Sequence, residues 1–164
     1  MAQENSILKV KLKHKGFWSF KELYEFCFEW LQDNGYTIAE KEYTEKLSGN
    51  SKGIEIKWEA TKEVSDYFKY KLKLTWRILG LTDEEVELEG KKVKTNKGEV
   101  KIEFEAVLVK DPESQWEAKP FTKVLRGIYD KYIIRTTAEE QKKKIGADLL
   151  ELIEEVKSFL HLGG

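Results

Sequence analysis

The chain has 164 residues, enough for one domain with a single core spanning 1–164. Its 29 basic and 30 acidic side chains leave a net charge of −1, and a composition 36% charged and 40% hydrophobic excludes disorder and holds no membrane-spanning apolar run. One cysteine excludes a disulfide framework, two histidines leave little for a metal centre, and the absence of a charged-then-apolar leader makes the cytoplasm the expected location.

The first element reads as a strand from Ile7 to Lys15, with Leu8, Val10, Leu12 and His14 on one face and Lys9, Lys11, Lys13 and Lys15 on the other. A helix follows. Ser19 and Glu22 form an S-x-x-E capping box, Trp18 and Leu23 are placed as a hydrophobic staple, and Asn34-Gly35 supplies the C-terminal cap. Its face of Phe20, Leu23, Tyr24, Cys27, Trp30 and Leu31 calls for a wide apolar partner, most simply a sheet.

Strand patterns then run to Lys110. Tyr36 to Leu47 shifts its apolar parity between Ile38 and Tyr43, which predicts a bulge, and Ser48 to Gly53 reads as a connecting loop. Ile54, Ile56, Trp58 and Ala60 alternate with polar residues. Phe68, Tyr70, Leu72, Leu74, Trp76 and Ile78 alternate with Lys69, Lys71, Lys73, Thr75 and Arg77, the clearest strand in the chain. A short pair, Val86/Leu88 and Val93/Thr95, turns at Glu89-Gly90. Asn96-Lys97-Gly98 fits a three-residue hairpin loop with Gly98 left-handed, and Val100 to Leu108 is the last strand. Pro120 opens a helix marked by Phe121, Val124, Leu125, Ile128, Tyr129 and Tyr132. Thr136 with Glu139, or Thr137 with Glu140, caps a final helix striped by Ile145, Leu149, Leu152, Ile153, Val156, Phe159 and Leu160, on the order of 35 Å long.

These elements predict an α+β fold of order β-α-β6-α-α: an antiparallel, twisted sheet of about six to seven strands, with N-terminal and C-terminal helices packed on one face. That order resembles the helix-grip architecture of plant pathogenesis-related allergens and START lipid-transfer domains, which implies a curved sheet wrapping a long C-terminal helix around an apolar cavity. It departs from them in having one helix, not two, after the first strand. The stretch Pro120-Phe121…Leu125-Arg126-Gly127-Ile128-Tyr129-Asp130-Lys131-Tyr132-Ile133-Ile134-Arg135 is similar to one in small archaeal proteins and implies no activity. The 26 Lys against 3 Arg, with 24 Glu and only 8 Asn plus Gln, match a heat-adapted composition and equally an AT-rich genome.

Chemistry is sparse. Cys27 falls on an apolar helix face, His14 ends the inward row of the first strand, and His161 suits the negative end of its helix. Glu40 and Glu42 would pair as an acid/base couple only without the bulge; the parity shift turns them outward. Gly49 to Gly53 lacks the length and ending of a phosphate loop, and Asp83-Glu84-Glu85 reads as a solvated edge. No cofactor motif is present. The basic outer rows face acidic ones (Glu55, Glu59, Glu103 and Glu105), so cross-strand pairing explains them better than nucleic acid does, and Arg scarcity agrees. What remains is a non-catalytic interaction or assembly domain, a homo-oligomer or a binder of another protein, with Val107 and Val109 on the outer row as candidate interface. The alternative is a helix-grip-like carrier of an apolar small molecule or lipid, its cavity lined by Phe68, Tyr70, Trp76, Leu152, Val156 and Phe159.

Overall fold

Alternation of period two organises most of the chain, and in the computed structural model, which describes residues 3–110 and 135–161, it yields five long strands. They are β1 (Gln3–Trp18), β2 (Thr37–Ser48), β3 (Ser51–Glu63), β4 (Phe68–Leu88) and β5 (Lys91–Lys110). All neighbours are antiparallel, in the spatial order β1-β5-β4-β3-β2. Strands β2 to β5 form a meander, and the first strand returns to lie beside the last. Helix α1 (Phe20–Asp33) and helix α2 (Arg135–His161) complete the described fold. The predicted helix from Pro120 to Tyr132 and the Asp111–Lys119 loop lie outside the described residues.

The sheet has five strands where six to seven were expected, because two pairs of runs are continuous. Val86/Leu88 extends β4 and Val93/Thr95 extends β5. The expected loop at Asn96-Lys97-Gly98 is strand, paired to Trp18, Phe17 and Gly16 of β1. Opposite it, β4 takes up its break as a bulge between Leu79 and Thr82, with Gly80 at φ 64°. Gly98 is needed for the close approach to that bulge, not for a left-handed turn. A Cβ there would lie 3.0 Å from Leu81 Cα and 3.1 Å from the Gly80 carbonyl oxygen. The Asn96 amide donates to the Thr82 carbonyl (3.2 Å) and to Asp83 (2.9 Å), and its oxygen accepts the Phe20 N–H (3.0 Å). Its polar side chain thus ties three segments together instead of making a turn. The turn itself is Glu89-Gly90, both at positive φ, as a tight two-residue hairpin requires.

The predicted bulge in β2 is present between Glu40 and Glu42. The β2–β3 connection is tighter than the expected loop: Ser48 pairs with Ser51, leaving Gly49-Asn50 as the turn. Ser19 caps α1, its Oγ accepting the Glu22 N–H at 3.2 Å. Thr136 and Thr137 lie inside α2, which starts already at Arg135.

The inward rows of the sheet and the apolar faces of both helices form one core. Trp18, Trp58, Trp76 and Phe104 are its largest fully buried side chains. Each such residue contributes roughly 1.5–3 kcal/mol of burial. Tyr24 of α1 packs edge-on against Trp58 with centroids 4.9 Å apart, and Phe26 of α1 stacks on Phe159 of α2 at 5.2 Å. Both helices therefore cover the same face. No helix among the described residues is long and apolar enough to cross a membrane.

Candidate functional site

The six residues expected to line a cavity converge on this inner layer. Phe68, Tyr70 and Trp76 occupy the inward row of β4, Leu152 and Val156 of α2 are buried in the same core, and Phe159 is half-buried against Phe26. Polar groups punctuate the layer. The Tyr36 hydroxyl donates to Asp148 at 2.8 Å, and that of Tyr70 donates to Gln141. Burial, then the charge of Asp148, pushes the Tyr70 phenol up to about 12, and burial raises Tyr36 as well. Such phenols stay protonated at neutral pH, so they act as hydrogen-bond donors and not as bases. The Trp58 indole N–H reaches Glu40 at 3.2 Å. Its neighbour Trp76, 5.3 Å away between centroids, is fully buried with an indole N–H that has no partner among the described residues.

The bulge in β2 separates the two glutamates. Glu40 faces inward, against the expectation that both turn out, and accepts from the Tyr24 hydroxyl (2.7 Å) as well as from Trp58. Glu42 faces outward and pairs with Lys57 at 3.3 Å. One unpaired register step puts them on opposite faces, so they form no acid/base couple. Burial raises the Cys27 thiol far above its ordinary range, which keeps it protonated and inert. The two histidines come together, a contact that sequence reasoning missed. The rings of His14 on β1 and His161 at the end of α2 meet edge-on, with centroids 6.4 Å apart. Burial and then His161 lower the His14 pKa.

Val107 and Val109 lie on the outer row and are covered within the chain, at 3% and 5% exposure. Lys71, beside Val107 on β4, reaches across β5 to Glu4, beside Val109 on β1, closing a 2.6 Å ion pair over the strand. The exposed apolar side chains lie elsewhere. Beyond the last pairing of β3 (Lys52 with Leu81) and of β1 (Trp18 with Asn96), strands β4 and β5 continue as a two-stranded arm. One arm face carries Val86 opposite Val93, followed by Leu88; Leu88 is 56% and Val93 39% exposed. Its other face sets Glu85 against Lys94 and Glu87 against Lys92. The signal for the arm is in the sequence, as an uninterrupted alternation around Glu89-Gly90.

Ion pairs cover much of the rest of the outer face. Lys9 meets Glu103 at 3.0 Å, and Glu99 meets both Lys13 (3.4 Å) and Lys101 (3.6 Å). The hydrogen bond from Lys9 lowers the Glu103 pKa, and Lys71 lowers Glu4 in the same way. Two shallow depressions interrupt this face. One of about 420 Å³ is lined by Lys11, Lys13, Thr75, Arg77, Lys101 and Glu103; an adjoining one of about 580 Å³ shares Arg77 and Lys101.

Comparison with family models, with curated proteins and with solved structures finds no match to the chain.

Proposed function

We propose that the protein is a non-catalytic interaction domain of the cytoplasm that associates with a second copy of itself, and that the arm of β4 and β5 carries the contact. The observation behind this reading is the division of the arm into a charge-paired face and an apolar face of exposed Leu88 and Val93 with half-buried Val86. An isolated two-stranded ribbon is marginal in water, and its apolar face gains most from a matching apolar surface. Two arms packed about a two-fold axis bury the same patch on both subunits, which is the commonest closed arrangement. Light scattering coupled to size exclusion tests this directly. The reading requires a wild-type mass above the 19.2 kDa monomer, falling to that value in Leu88→Glu/Val93→Lys while the variant stays folded. A monomeric wild type at micromolar concentration ends it.

One observation favours the second reading, a helix-grip-like carrier of an apolar molecule. The buried Trp76 indole N–H has no acceptor among the described residues, and an unsatisfied buried donor costs about 1–3 kcal/mol. A ligand carbonyl or hydroxyl beside the inner row of β4 relieves that cost. Native mass spectrometry of gently purified protein then shows co-purified mass, and Trp76→Phe retains the apolar surface but loses the donor. Protein that emerges ligand-free and binds no lipophilic dye removes this reading.

A further inference from the structure

The charged positions of the outer sheet face follow a rule that one rung breaks. Strand β1 presents a basic row (Lys9, Lys11, Lys13, Lys15), β5 an acidic one (Glu99, Glu103, Glu105), and β4 a basic one (Lys69, Lys71, Lys73, Arg77). Laying an acidic strand between two basic ones makes the lateral rungs alternate in sign. Lys9, Glu105, Lys73 and Glu59 form one such rung, and Lys11, Glu103, Thr75, Lys57 and Glu42 the next. The following rung breaks the pattern. There β5 carries Lys101 in place of an acid, so Lys13, Lys101 and Arg77 stand side by side on three adjacent strands before Glu55 follows on β3. Like charges directly opposite one another destabilise a sheet. Glu99 offsets part of this by bridging Lys13 and Lys101, and Glu103 feels the charge of Lys11 and Arg77, but among the described residues neither of those two makes an ion pair within 4 Å. This rung lies in the depression of about 420 Å³.

We propose that this rung is a binding site for a small molecule bearing a dianionic phosphate monoester. Four cations (Lys11, Lys13, Arg77 and Lys101) and one carboxylate, Glu103, line the depression, with Glu99 and Glu55 at its margins, so the site keeps a net positive charge that suits an anionic phosphate monoester. Arg77 supplies a planar fork suited to two phosphate oxygens, Lys13 and Lys101 supply point charges, and the Thr75 hydroxyl is a further donor in the same depression. A nucleic-acid strand fits less well. Its successive phosphates need a continuing basic track, and the flanking rungs alternate in sign. The site stands on the sheet's own register and is independent of how the chain associates.

Titration of the isotopically labelled protein with phenyl phosphate at constant ionic strength, followed by amide NMR, tests the proposal. Saturable shifts centred on Lys13, Arg77 and Lys101 are expected, with affinity at least about tenfold weaker in Arg77→Gln and in Lys101→Gln, the loss of one charge-assisted contact. Lys92→Gln, on the arm, should bind as wild type. Without ligand, removing one of three adjacent cations should leave the melting temperature unchanged or raise it, the mark of a site kept at the expense of stability. Non-saturating shifts that are identical in Arg77→Gln overturn the proposal. So does tighter binding of a single-stranded oligonucleotide lacking a terminal phosphate, which would make the face a polyanion track. A lowered melting temperature in Arg77→Gln also overturns it, because the residue would then be structural.

Discussion

Replacing Gly98 by alanine places a methyl group where three backbone atoms already stand: Leu81 Cα at 3.0 Å and the carbonyl oxygens of Gly80 and Leu79 at 3.1 and 3.2 Å. None can rotate away as a side-chain tip could, so either β5 moves off the β4 bulge or the bulge itself reshapes. Overpacking of this kind costs roughly 1–3 kcal/mol. An opposing gain exists, since glycine-to-alanine changes restrict the unfolded chain and stabilise by about 0.4–1 kcal/mol where the native site accepts the methyl. Gly53 provides that internal control. It also lies in a strand beside a register shift, but its nearest foreign atom is the Ile78 carbonyl oxygen at 3.8 Å, an ordinary contact. Gly98→Ala is therefore expected to lose about 1–2 kcal/mol, the steric cost less the entropic gain. Gly53→Ala should stay level or gain. Urea denaturation with an unchanged slope measures both. If the two substitutions shift stability equally, or if Gly98→Ala matches wild type, the bulge does not crowd Gly98 and the account of the continuous β5 fails.

Leu74→Asp puts an unpaired carboxylate between Trp58 and Phe104 on the inner face and should cost several kcal/mol; a loss under about 1 kcal/mol in the same assay contradicts the face assignment. The His14 pKa is lowered from 6.5 by burial and by His161, so the unfolded chain binds this proton more readily than the folded one. Stability should consequently fall as pH drops through 6.5 toward the lowered value, and His14→Gln should flatten that part of the pH profile; an unchanged slope in the variant shows that the pair does not titrate as described.

What could be read from the sequence was whatever depends on period and parity within one element. The run Phe68 to Ile78 gave its buried face directly, and the slipped parity between Ile38 and Tyr43 gave the β2 bulge. Asn96-Lys97-Gly98 misled because a glycine that permits close approach and one that permits a turn look alike until the opposing backbone is known. Glu40 misled for a related reason. A bulge reverses everything on one side of itself, and its exact step decides which glutamate turns. The lone Lys101 in an acidic row was visible, but its meaning depends on register with Lys13 and Arg77, and register is a property of pairs of strands. The meeting of His14 and His161 depends in the same way on where the end of α2 rests.

The position of β1 beside β5 also sets a timetable for the chain. The strands β2 to β5 join through hairpins and can zip as soon as each is available, whereas Ser6 must wait for Glu105, 99 residues later, and Trp18 for Gly98, 80 residues later. Pairing at such sequence separation carries the largest loop-closure cost in the sheet and belongs to the slow phase of folding. Until it is complete, β5 is an open edge whose run from Ala106 to Val109 is apolar on both faces, the most adhesive kind of edge a nascent sheet can show. The lysine-rich first strand, emerging earliest and docking last, therefore acts as the cover of that edge: delaying it, by truncation or by a proline at Val10, exposes a growing chain to its neighbours before it alters anything in the finished fold.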